Sequence, residues 1–105
     1  MNDALRSRPW TAWQLSRIAQ ARGRLDAGDA AAVDLAIEAI LKNPYDPPGF
    51  RATVVGARSR RRHFRLAVTR DTYLLYEAVE QMPPSGFKII LFWALLRVVG
   101  GEGGG

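Results

Sequence analysis

Residues 43–50, Asn-Pro-Tyr-Asp-Pro-Pro-Gly-Phe, separate two stretches with different hydrophobic periods, and that switch restricts the fold more than any other feature. Before it, apolar residues fall at Trp10, Trp13, Leu15, Ile18, Ala21 and Leu25, mostly three or four apart. This spacing predicts an amphipathic helix over 10–25, with Arg17, Arg22 and Arg24 on its outer face. Gly28 breaks the pattern, and Asp29 is the expected N-cap of a second helix over 30–42. Val33, Ala36, Ile37, Ile40 and Leu41 form its apolar stripe, and Asn43-Pro44 stops it. Two helices joined by a tight turn make a helical hairpin.

After residue 50 the period becomes two. Strands are expected over 51–57, around Val54 and Val55, and over 63–69, where Phe64, Leu66 and Val68 alternate with His63, Arg65 and Ala67. Arg70-Asp71 turns the chain back into a strand over 72–79 rich in Tyr and Leu, and 81–86 reads as a loop. Residues 87–99 are apolar on every side, so period alone does not separate a central strand from a buried helix. A strand through Arg97 is the expectation, because three preceding strands need a partner to complete a buried sheet. The fold class expected is α+β: an N-terminal helical hairpin packed on a mainly antiparallel four-stranded sheet. Residues 1–99 form one domain in this reading, and 100–105, with five glycines, a flexible tail.

With 105 residues the chain has room for a single modest core. Cysteine is absent, which excludes disulfides, thiolate metal sites and cysteine nucleophiles. There is one histidine, and no carboxylates cluster near it in the sequence, so neither a metal nor another cofactor is expected. The first ten residues lack the apolar centre of a signal peptide, and the apolar run 89–96 is shorter than the ~20 residues a bilayer span needs. A soluble, cytoplasmic protein without a membrane partner is the expectation.

Function is read from Arg58 to Arg65, Arg-Ser-Arg-Arg-Arg-His-Phe-Arg, with six cationic side chains in eight positions if His63 is counted. No carboxylate lies between Asp46 and Asp71, and Arg51 and Arg70 extend the charge. The formal net charge is +5. A field of one sign on a small domain attracts polyanions, of which phosphate backbones are the commonest. Arg58, Arg60, Arg61, Arg62 and Arg70 are the candidates for phosphate contacts; a solvated loop is the plainer account of the same residues. His63 is the sole candidate for proton transfer near neutral pH, against a role as an ordinary polar strand residue. Tyr73 and Tyr76 have rings suited to stacking on bases, although strand tyrosines more commonly serve as packing. A three-residue hairpin loop would set His63 opposite Glu77 and Arg65 near Tyr73, and a two-residue turn would reverse that parity.

Three stretches taken in order resemble the RelE/ParE superfamily of toxins from type II toxin–antitoxin pairs. They are a helix stopped by Leu-Lys-Asn-Pro-Tyr-Asp-Pro at 41–47, a basic hairpin with a Tyr-Leu-Leu-Tyr core at 62–79, and a last apolar strand, 88–97, closing on Arg97. The resemblance covers the last two thirds of the chain. It implies RNA or the ribosome as target, a protein antitoxin as partner, and in some members metal-independent, ribosome-dependent cleavage of mRNA. By that likeness His63, Arg65 and Arg97 would be the catalytic set, orienting the 2′-hydroxyl and stabilising the phosphorane. Gyrase-directed members keep the fold without such a set, so a non-catalytic module acting on gyrase or nucleic acid is the alternative. A structural protein whose last strand is completed by another chain is a further one. The chain departs from the nuclease pattern in carrying Tyr73 where many members place an arginine, in showing no opening strand before the first helix, and in ending on glycines after Arg97.

Overall fold

A computed structural model describes residues 10–58, 61–80, 86 and 88–98. The expected tail over 100–105, most of the 81–86 loop and Arg60 lie outside the described residues. The elements are β1 (Thr11–Trp13), α1 (Leu15–Arg22), α2 (Ala27–Lys42), β2 (Arg51–Arg58), β3 (Arg61–Ala67), β4 (Thr72–Glu80) and β5 (Lys88–Arg97). The sheet has five strands in the order β1-β5-β4-β3-β2, with β1 parallel to β5 and every other pair antiparallel. The α+β class and the helices packed against the sheet agree with the expectation. The strand count and the purely helical opening do not.

The opening differs because three-residue spacing of two tryptophans has two readings. In a helix Trp10 and Trp13 share a face; in a strand they point to opposite sides. Here Ala12 pairs with the buried Ile90, and the ring of Trp10 packs edge-on to Tyr45 with centroids 5.7 Å apart. Gln14 then turns the chain into α1 with φ 64°, a left-handed conformation that carries a steric cost for any residue with a Cβ. Gln14→Gly is therefore expected to raise stability by about 0.5–1 kcal/mol, once glycine's larger entropy loss is set against the relieved strain. Urea denaturation of the two proteins checks this, and a loss of stability would refute it.

The second helix starts earlier than expected. Asp26, not Asp29, is its N-cap, and its carboxylate accepts from the Asp29 backbone N–H at 2.8 Å. Gly28 thus lies in the first turn, where backbone N–H groups have no intrahelical partner and glycine interrupts little. Arg22 and Asp34 join the two helices through a double hydrogen bond of 2.8 and 2.7 Å. The last apolar segment is a strand, as expected.

One face of the sheet is covered. Ile18 of α1 and Val33, Ala36 and Ile40 of α2 bury against Phe64, Leu66, Leu74, Tyr76, Ala78, Ile90 and Phe92. The Tyr76 hydroxyl donates to the Pro44 carbonyl at 2.6 Å, which ties the turn-rich connection to the central strand. Burial pushes the Tyr76 phenol well above its usual range. Among the described residues no helix lies over the opposite face, and the basic strand β3 crosses it. Among the described residues no helix is long and apolar enough to cross a membrane.

Candidate functional site on the uncovered sheet face

Paired residues in a sheet share a face, so the register sorts the cations. The β3–β4 hairpin closes with Val68 N–H donating to the Thr72 carbonyl at 2.9 Å, leaving a three-residue loop. His63 consequently pairs with Glu77, and Arg65 pairs with Leu75. All four lie on the uncovered face. The guanidinium of Arg65 sits 5.5 Å over the ring of Tyr73, a cation–π contact on the same face.

Two bulges decide which other arginines join them. In β2 the register shifts between Val54 and Gly56, leaving Val55 unpaired. That extra residue turns Gly56, opposite His63, and Arg58, opposite Arg61, onto the uncovered face. In β5 the extra residue is Trp93, between Phe92 opposite Tyr76 and Ala94 opposite Leu75. Its indole emerges on the uncovered face, 41% exposed. Beyond it the parity is reversed, so Arg97 pairs with the buried Thr72 and lies on the helix side at the far end of the sheet. The structure therefore brings His63 and Arg65 together and does not bring Arg97 to them. Arg62 pairs with Ala57 and Ala78 on the helix side, close enough to Tyr45 for its charge to act on that phenol. Arg70 is exposed in the hairpin loop.

The site is organised around Glu77. Although its strand face is uncovered, its side chain is fully buried, because Arg61, His63 and Trp93 close over it. Arg61 donates twice, through Nε to Oε2 and through an Nη nitrogen to Oε1 at 3.1 Å. The Trp93 indole N–H donates to Oε1 at 3.2 Å. His63 Nε2 stands 3.4 Å from Oε2. Burial alone would raise the Glu77 pKa, but these hydrogen bonds and the charges of Arg61 and His63 outweigh it and hold the carboxyl below its ordinary range. Glu77 also raises the Arg61 guanidinium. Three hydrogen bonds thus engage both oxygens of an ionised carboxylate, so Glu77 is suited to orienting its neighbours rather than to taking protons.

His63 and Trp93 present nearly parallel rings, 25° apart with centroids at 6.5 Å, and the Arg17 guanidinium lies 5.8 Å over Trp93 from α1. Gly56, Ala57, Arg58, Arg61, His63, Glu77 and Trp93 line an open recess of about 400 Å³. Sequence reasoning had no role for Arg17 and none for Glu77 as organiser. Glu77 had a signal, since it is the only carboxylate inside the basic hairpin strands before Glu80; Arg17 had none. Among the described residues no group of three potential metal ligands exists. No protein-family model, curated protein or solved structure matches the chain.

Proposed function

We propose that this chain is a cytoplasmic, toxin-like RNA-binding protein of the RelE/ParE type that holds single-stranded RNA on its uncovered sheet face. The observation that carries the reading is the company of His63. It lies beside Trp93, is held by Glu77, and shares its face with Arg58, Arg61 and Arg65. An aromatic platform edged by arginines suits splayed bases and their phosphates. Arg61 uses two donor groups on Glu77 and keeps others for phosphate. The parallel β1 supports the resemblance further, since it supplies the opening strand that the sequence pattern lacked.

In this reading the RNA strand lies across β2–β5 with one phosphodiester at His63. The imidazole takes the 2′-hydroxyl proton as the 2′-oxygen attacks phosphorus; the P–O5′ bond breaks, leaving a 2′,3′-cyclic phosphate, and the 5′-oxygen takes a proton from water. Arg58 and Arg65 stabilise the charge on the phosphorane, each such donor contributing ~3 kcal/mol in comparable sites. A ribosome would supply the placement of the mRNA, and a protein antitoxin would cover the same face.

A specific observation favours a second reading, binding without cleavage. His63 is the chain's one histidine, and Glu77 is held ionised by Arg61 and Trp93, so the face offers one group for proton transfer near neutral pH where the reaction uses an acid and a base.

Mapping of new mRNA 5′ ends in a purified translation reaction separates the two. Cleavage is expected in wild-type protein and absent in His63→Ala, with Arg65→Gln reduced by at least tenfold. RNA binding is expected in all three. On single strands the slope of log affinity against log salt is expected to flatten by about 0.7 for each phosphate contact removed at Arg58 or Arg65. Binding without cuts from folded wild-type protein establishes the second reading. Affinity that ignores salt and both arginines would refute the RNA face itself.

A further inference from the structure

Gly56 is a glycine that the protein itself does not require. It lies in the interior of β2, where a residue without a side chain weakens a strand. Its φ is outside the left-handed region, which among the described glycines only Gly49 and Gly86 occupy. A Cβ at this position would meet nothing closer than the His63 Cβ at 3.8 Å, an ordinary contact. Alanine therefore suits both the backbone and the packing. What the missing side chain does is leave space on the uncovered face, directly opposite His63, in the recess of about 400 Å³ that reaches across to Trp93. A strand glycine of this kind marks a place where a ligand comes close.

The side chains around that space have a one-sided chemistry. Arg58 and Arg61 line it with donors. Glu77, the only carboxylate in the lining, already accepts from Arg61 twice and from Trp93 once. The two bonds from Arg61 also hold its guanidinium in one orientation. Of its five N–H groups two go to Glu77, which leaves three in a fixed plane for a ligand.

We infer that this recess selects guanine, an inference that rests on the RNA reading above and names the base next to the phosphate at His63. The fused rings enter over Gly56 and lie against the His63 and Trp93 rings. N7 and O6 accept from Arg61, and Arg58 stays with the phosphate. Guanine is the base whose Hoogsteen edge carries two adjacent acceptors, the pair that a guanidinium meets bidentately. Adenine and cytosine would each turn an amino donor toward the arginine. With Glu77 engaged and His63 committed to the 2′-hydroxyl, no side chain of the recess takes that donor. Uracil brings one carbonyl on that edge and one ring fewer to stack. Gly56 and Arg61 are thus specificity-determining residues, the first by leaving room and the second by reading the edge.

The test is equilibrium binding of the full chain to short single-stranded oligouridylates carrying one central guanosine, adenosine or cytidine, with the all-uridine strand as reference. The guanosine strand is expected to bind about tenfold tighter than the other three. Inosine, which keeps N7 and O6, should match guanosine, and 7-deazaguanosine, which lacks N7, should lose most of the preference. Gly56→Ala gives the sharper result. It should melt at or above the wild-type temperature and yet lose the preference for guanosine, while the all-uridine strand binds as before. A glycine without a role toward the base would leave the preference intact. Arg61→Lys checks the reader independently, since it keeps the charge without the planar fork and should abolish the preference but not binding. All-uridine binding with no gain from guanosine, 7-deazaguanosine that binds as well as guanosine, or an undiminished preference in either variant would overturn the inference and leave the RNA reading standing. Failure of every strand to bind would remove both.

Discussion

Glu77→Gln is expected to destabilise the domain by about 2–3 kcal/mol at neutral pH. The carboxylate is fully buried and accepts from Arg61 twice and from Trp93 once. An amide keeps one acceptor oxygen and turns its NH₂ toward donors that now lack a partner. The cost stays below the ~3–5 kcal/mol of a stranded buried charge because the Arg61 side chain is 50% exposed and recovers water. The penalty should also depend on pH. Glu77 is held below its ordinary pKa in the folded protein, so its contribution is complete above the unfolded value of about 4.3 and is lost as pH falls through the folded one. Urea denaturation of both proteins from neutral to acid pH reads the difference. The gap should be constant above about pH 5 and should narrow at lower pH. A gap that stays constant through the acid range would show that Glu77 is not the ionised centre of the cluster.

The largest loss of stability is expected from Phe92→Ala, about 3–5 kcal/mol. Phe92 is fully buried, its ring 6.4 Å from that of Tyr76 in the middle of the core. A domain of this size has ~5–15 kcal/mol in total, so the variant should sit close to its unfolding threshold. The effect should reach the site as well, since Phe92 is the buried residue directly before the Trp93 bulge. Leu96→Ala is the contrast. Leu96 is 47% exposed on the same strand and should change stability by no more than about 0.5 kcal/mol. Equilibrium denaturation followed by tryptophan fluorescence compares them, and similar midpoints for the two variants would refute the placement of the core.

Much of the fold was legible because the periods are strong where the core is. Phe64, Leu66, Leu74 and Tyr76 alternate into the helices as their spacing indicates, and Val33, Ala36 and Ile40 face them at helical spacing. The opening was misread because Trp10 and Trp13 satisfy a helical period by coincidence, and a three-residue strand is too short to declare itself by alternation. Only the exposed backbone edge of β5 makes a strand worthwhile there, and that edge exists only in the assembled sheet. The cap was misplaced by three residues because Asp26 and Asp29 are equivalent until the turn between the helices is built.

The site divides along the same line. Residue order alone located the basic run, the one histidine and the two alternatives for the hairpin, because charge and composition are properties of the chain. Which side chains meet was decided by parity, a property of strand pairs. A three-residue loop faced His63 to Glu77, one extra residue at Val55 brought Arg58 to them, and one extra residue at Trp93 sent Arg97 to Thr72. The side-chain period of a strand is two, so each single inserted residue moves everything beyond it to the other face. No local pattern in the sequence carries that count; packing against the neighbouring strands and helices sets it.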